Sequence, residues 1–204
     1  MTTPTTTGLA DDLAAAVAEL RRITVRVQSS GAAFGAGVLW APAGDDSRGL
    51  VITNAHVATR RQATIQFSDG ALTQARVVAR DSRRDLAALE MDLDPQSTVP
   101  FAQVRGAPPI RVGELVIAIG HPGALTGAAT LGIIHTAGGE RAGGTPPWIR
   151  ADLRLAPGFS GGPLADASGR LIGINTLMQG GLALAVPAAL VGAWLQRVQA
   201  PVAP

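Results

Sequence analysis

The 204-residue chain contains no cysteine and no tyrosine, and because all 17 of its basic residues are arginine it contains no lysine. The missing cysteines exclude disulfides, thiolate metal sites and a cysteine nucleophile together. Charged residues make up only 16% of the chain and aromatics 3%. The net charge is +2, although the isoelectric point is about 10.8. Nothing titrates between histidine and arginine, so the isoelectric point rises without a large positive field. The arginines are scattered and the aromatics few, so no nucleic-acid partner is expected. The longest apolar stretch, Gly181 to Leu195, is interrupted by Pro187 and falls short of the ~18–20 residues of a membrane span, so no membrane partner is expected either. The opening MTTPTTTGLADDL lacks the basic and apolar regions of a signal peptide. A cytoplasmic location is therefore the expectation, or a secreted one if the sequence is a fragment.

Hydrophobic residues are plentiful at 47%, as are glycine (25) and proline (14). That balance suits many short strands joined by turns rather than a helical protein. Residues 1–7 form a Thr-rich tail. From Leu9 to about Arg22, Leu9, Leu13, Val17 and Leu20 recur at helical spacing, with Asp11 and Asp12 in the expected first turn and Arg21 and Arg22 in the last, as the helix dipole favours. Short β-like runs follow at 23–28, 33–40, 49–54, 63–67, 72–80 and 85–91. After Pro-rich and polar stretches, a second set lies at 114–120, 129–137, 148–153, 161–166, 170–176 and 181–187, and residues 188–198 read as a closing helix. Evenly spaced short strands suggest barrels or a sandwich. The expected division is a tail and helix at 1–22, a first barrel at 23–104, and a second barrel with the closing helix at 105–204.

Three strings carry candidate chemistry: TNAHV at 53–57, RRDLAAL at 83–89 and APGFSGGPL at 156–164. Gly158, Gly161 and Gly162 leave little bulk around Ser160, so a carbonyl can approach its hydroxyl and nearby amides can point at an oxyanion. A plain Gly-rich turn is the bland alternative. The string also fits the G-x-S-x-G elbow of α/β-hydrolases, but there a histidine follows the serine. The histidines here are His56, His121 and His135, all earlier in the chain. His56, Asp85 and Ser160 instead fall in the His, Asp, Ser order of chymotrypsin-type enzymes. Asp85 opens an apolar run, so its carboxylate is drawn partly inside and needs a donor. The His56 ring would serve, and an exposed pair with Arg83 or Arg84 is the alternative. A metal site on the three histidines lacks ligand spacing, and no cofactor is expected.

TNAHV, DLAAL, GHPGALTGAATLGII and PGFSGGPL, followed by GRLIGINT and LALAVP, resemble successive motifs of the HtrA/Deg family of trypsin-like serine proteases. The resemblance runs from about residue 20 to 198, and the intervals of 29 residues from His56 to Asp85 and 75 from Asp85 to Ser160 are similar to that family's. It implies an all-β, chymotrypsin-like double β-barrel with an N-terminal and a C-terminal helix and the site between the barrels. It further implies Ser160 as nucleophile, His56 as general base and then acid, Asp85 as orienter of the imidazole, and the amides of Gly158 and Ser160 as oxyanion hole. The partners implied are protein or peptide substrates, with room for a homo-oligomer. Arg154, Asn175 and Thr176 are the substrate-binding candidates, and Thr176 could also support Asp85 or His56.

Two positions depart from the resemblance. Phe159 stands before the nucleophile where that family usually has Asn and digestive trypsins Asp, so zymogen activation through that carboxylate is not expected. Arg154 lies six residues before Ser160, near the expected floor of the S1 pocket, where it would disfavour basic side chains if it points inward. Because the sequence ends at Pro204, the PDZ domain common in the family is not expected. The competing expectation is a catalytically silent peptide-binding module on the same fold, and esterase activity would use the same machinery.

Overall fold

A computed structural model describes residues 6–30, 33–41, 48–93, 99–137 and 148–199. Helix α1 (Thr6–Ile23) leads into six strands: β1 (Thr24–Ser30), β2 (Ala33–Trp40), β3 (Arg48–Thr53), β4 (Gln62–Gln66), β5 (Leu72–Asp81) and β6 (Leu86–Asp92). They close in the order β1-β2-β3-β6-β5-β4. A second closed barrel follows from β7 (Leu115–Gly120), β8 (Ala128–Thr136), β9 (Ile149–Asp152), β10 (Pro163–Asp166), β11 (Leu171–Gln179) and β12 (Leu182–Pro187), in the order β10-β11-β12-β9-β8-β7. Helix α2 (Ala188–Gln199) ends the described chain. The fold is the all-β double barrel with a helix at each end.

The period-2 alternation of strand side chains explains why the two barrels share a face. In β3, Val51 enters the first barrel's interior while Leu50 and Ile52 turn outward into the layer between barrels. In β7, Val116 and Ala118 fill the second barrel while Ile117 and Ile119 meet that same layer. Both strands are thus buried on two faces and read as unbroken apolar runs. By contrast β5 and β8 alternate between covered and exposed positions, because only their inner faces are covered.

Helix α1 seals one side of the inter-barrel layer with Ala16, Leu20 and Ile23, and α2 adds Val191, Trp194 and Leu195. Truncating one of these large core side chains to alanine removes about 2–5 kcal/mol of stability. The helix runs one residue further than the pattern predicts because Ile23, three residues after Leu20, still faces that layer. It also starts earlier, at Thr6, so Asp11 and Asp12 lie beyond the first turn. Residues 1–5 of the expected tail lie outside the described residues. No described helix is long and apolar enough to cross a membrane.

Candidate active site

The first barrel supplies the titratable half. Strand β3 ends at Thr53, and the amides of Val57 and Ala58 both donate to the Asn54 carbonyl, turning the chain so that His56 stands half exposed. The turn is held from outside by Arg80, whose guanidinium donates to the Ala58 carbonyl. Asp85 sits where β5 turns into β6, at φ +55°, a left-handed conformation in which Asp is tolerated better than most side chains.

Four donors fix Asp85. The Asn54 side-chain amide donates to its carbonyl at 2.9 Å, and the His56 backbone amide to Oδ1 at 3.1 Å. His56 Nδ1 lies 2.8 Å from Oδ2, and the Thr176 hydroxyl donates to that same oxygen. Burial pushes the carboxyl pKa up, but the hydrogen bonds from His56 and Thr176 outweigh it and the net shift is downward. An ionised acceptor at Nδ1 places the ring proton there and leaves the lone pair on Nε2. Arg84 pairs with Asp81 at 2.5 Å and the Arg83 amide with Asp81 Oδ1, so neither takes the place of His56.

The second barrel supplies the hydroxyl half, mostly through backbone. Between β9 and β10 the chain makes a tight loop in which Phe159 N donates to Ala156 O, Gly162 N to Phe159 O and Gly161 N to Asn175 O. Gly158 has φ +106°, and a Cβ there would lie 2.4 Å from the His121 carbonyl oxygen. Conformation and space therefore both demand glycine. The Gly158 carbonyl is held by the His121 amide at 2.9 Å. The amides of Gly158 and Ser160 themselves have no acceptor among the described residues. Phe159 is 5% exposed and packs on β7 at Gly120, where a Cβ would fall 2.6 Å from the ring. It braces the loop from below.

The halves meet directly. Ala36 N of β2 donates to Ser160 O at 2.8 Å, and the Thr53 hydroxyl donates to Ala36 O at 2.6 Å. Ser160 Oγ donates to the Thr176 carbonyl at 2.9 Å. Thr176 thus touches Asp85 with its hydroxyl and Ser160 with its carbonyl. It is itself only 1% exposed, so its side chain faces Asp85 rather than an open pocket.

Of the other candidates, Asn175 is fully buried and its side chain donates to the Pro163 carbonyl at 2.7 Å. Direct side-chain contact with a substrate is therefore corrected to a role tying β11 to β10. Arg154 is exposed, with no ion pair among the described residues. His121 is buried, its Nδ1 accepting from the Gly127 amide at 3.2 Å. Burial, with the charges of Arg26 and Arg21, holds its pKa down at about 4. His135 is exposed. Sequence reasoning missed Asn54 and the His121 backbone as supports of the site; Asn54 stood in the TNAHV string, but nothing local marked its reach to Asp85.

Known proteins resemble the chain in sequence and in fold. Among curated proteins, serine protease HTRA1 of Xenopus tropicalis is 35% identical over 146 residues, covering 68% of this chain and 31% of that protein. Serine protease HTRA4 of Mus musculus is 36% identical over 146 residues, covering 68% and 30%. The chain thus spans about a third of the length of these relatives. Among solved structures, the HtrA-type protease AlgW with a tripeptide superposes with TM-score 0.79 at 30% identity, covering 92% of this chain and 64% of that one. The serine endoprotease of Yersinia pestis gives TM-score 0.78 at 26% identity, covering 97% and 68%. The trypsin-like peptidase domain profile matches residues 35–174, the span that contains His56, Asp85 and Ser160, and the chain belongs to that family of trypsin-like, HtrA-type serine proteases.

Proposed function

We propose that the chain is a serine endopeptidase working through His56, Asp85 and Ser160 and an acyl-enzyme. The observation that carries the reading is the fixed imidazole: Asp85, itself held by three further donors, grips Nδ1 and leaves Nε2 free to act as a base. The Ser160 hydroxyl attacks the scissile carbonyl carbon while His56 Nε2 takes its proton. The carbonyl oxygen becomes an oxyanion facing the amides of Gly158 and Ser160. The tetrahedral adduct collapses to an ester on Ser160 as His56 gives the proton to the departing amine. Water, deprotonated by the same ring, then hydrolyses the ester. Asp85 stays ionised throughout and stabilises the imidazolium.

A peptide substrate is favoured over a small ester by the edge of β11. Beyond Thr176 the run Leu177–Gln179 pairs with β12 on one side and with no described strand on the other. An extended peptide can add there as a further strand, with its carbonyl carried to Ser160. Leu177 and Met178 are exposed on that run.

One observation favours a second reading, a silent peptide-binding module: the Ser160 hydroxyl donates to Thr176 rather than to His56. Under the leading reading, Ser160 reaches Nε2 by rotation about its side-chain bond. A fluorophosphonate probe separates the two. Folded wild type is expected to label at Ser160, and both Ser160→Ala and His56→Ala to lose the label. Folded wild type that takes no probe establishes the silent module.

A further inference from the structure

The seam between the His56 turn and the Ser160 loop is lined by β2. Ala36 donates to the Ser160 carbonyl, and a Cβ on Gly35 would fall 2.8 Å from that carbonyl oxygen and 2.6 Å from a Val57 methyl. Phe34 is the next residue outward along the seam. Gly35 beside it sits between the Ser160 loop and Val57, the residue after His56. A leaving amine that takes its proton from His56 departs along this seam.

Phe34 does not stand there alone. Arg26 of β1 pairs with Ala36 across the strands, and side chains two apart on a strand share a face, so Arg26 and Phe34 meet diagonally. The guanidinium carbon lies 3.7 Å from the Phe34 ring centroid, which orients the planar fork and leaves most of its donors at the ring's edge. One nitrogen reaches the Gly123 carbonyl at 3.4 Å, in the loop that follows His121. The same rim continues into Arg60 and Arg61, both exposed, in the bend four and five residues after His56. The Arg60 amide donates to Ser29 Oγ at 2.8 Å, which brings that bend to the end of β1, three residues from Arg26.

Seven of the described arginines have carboxylates: Arg22 has Glu19, Arg48 and Arg76 share Glu90, Arg84 has Asp81, Arg105 and Arg111 share Glu114, and Arg170 has Asp166. Arg26, Arg60 and Arg61 have none among the described residues. Three arginines without a carboxylate partner among the described residues therefore stand close together beside the site, Arg60 and Arg61 on the bend after His56 and Arg26 across from it on β1. Resting on the endopeptidase reading, we propose that Arg26 and Arg60 form a cationic leaving-group subsite that selects peptides with an acidic side chain in the first positions after the scissile bond. Arg26 is oriented by its stack to offer a forked pair of donors to a carboxylate, and Arg60 extends the favourable field along the departing chain.

The test uses internally quenched peptides that share one acyl half and carry Glu, Gln or Lys at the first or second position after the cleaved bond. At low salt, wild type is expected to cleave the Glu peptide with about fivefold higher kcat/KM than the Gln peptide, as suits a partly exposed ion pair. That ratio should shrink at high salt, and Glu placed in the acyl half should bring no such gain. The ratio should fall to near one when Arg26→Gln and Arg60→Gln are combined, and Arg26→Glu should turn the preference toward Lys. A wild-type ratio near one, or a ratio untouched by salt, overturns the subsite without any variant having to fold. Wild type that labels with fluorophosphonate at Ser160 but lacks the Glu preference loses the subsite and keeps the endopeptidase reading. Wild type that takes no label loses both.

Discussion

The two barrels hold their halves of the site in different ways. In the first, side chains do the holding: Asn54 and His56, joined by Thr176 reaching across from β11, converge on Asp85, which accepts a left-handed backbone to receive them. In the second, backbone does it: carbonyls and amides of Ala156, Phe159, Gly162, His121 and Asn175 shape the loop around Ser160, and glycine permits the path. The His56 imidazole is therefore held in one orientation, while Ser160 is positioned but its hydroxyl is engaged with Thr176. Preorganisation has been completed on one side and left to a single bond rotation on the other.

The sharpest way to break the first half is Asp85→Asn. The amide can still fill the space, but it no longer compels the proton onto His56 Nδ1, so the ring can present the wrong tautomer to Ser160. A loss of about 10⁴ in kcat is expected, on the scale seen when this substitution is made in serine protease triads. Folding should survive, and a thermal melt alongside the kinetics checks that. A loss below tenfold would show that the four-donor cradle does not control the base.

Gly158→Ala breaks the second half through backbone alone. The left-handed φ and the 2.4 Å approach to His121 O force the loop to shift, and the two amides beside Ser160 lose their common aim. The expected cost is about 10²–10³ in kcat, the usual effect of losing one oxyanion donor, with the His56–Asp85 pair intact. The pairing of outcomes is informative. If Gly158→Ala proved harmless while Asp85→Asn was crippling, oxyanion stabilisation would have to come from elsewhere.

The same contrast explains what could be read from sequence. Chain order and intervals placed His56, Asp85 and Ser160, and the glycines around Ser160 signalled a backbone-built loop. What stayed hidden depends on distant contacts. Thr176 meets Asp85 across 91 residues, and its double duty follows from the closure of the second barrel, which no local pattern records. Asn175 beside it looked equally available, yet strand alternation sends its side chain to Pro163. The packing of Phe159 on Gly120 likewise needed the position of β7. The rotamer of Ser160 is a local choice among staggered wells, and sequence carries no trace of it.

Acid is the gentlest perturbation of the pair, and it acts through a buried histidine of the second barrel. His121 is neutral in the folded protein down to a pKa of about 4, against an ordinary value of 6.5. The unfolded chain takes up that proton as pH falls through 6.5, and the native state does not until about 4. Stability is therefore lost as pH drops across that window, at up to about 1.4 kcal/mol per pH unit. The Asp85 carboxylate, whose pKa is lowered from 3.8, remains ionised through the same range. Mild acid thus lowers the stability of the whole fold through His121, while the native His121 ring and the Asp85 carboxylate both keep their protonation state. Urea midpoints measured from pH 6.5 to pH 4.5 should decline in wild type and flatten in His121→Asn, which keeps an acceptor for the Gly127 amide but cannot be charged. Equal slopes in the two proteins would remove His121 as the origin of the acid sensitivity.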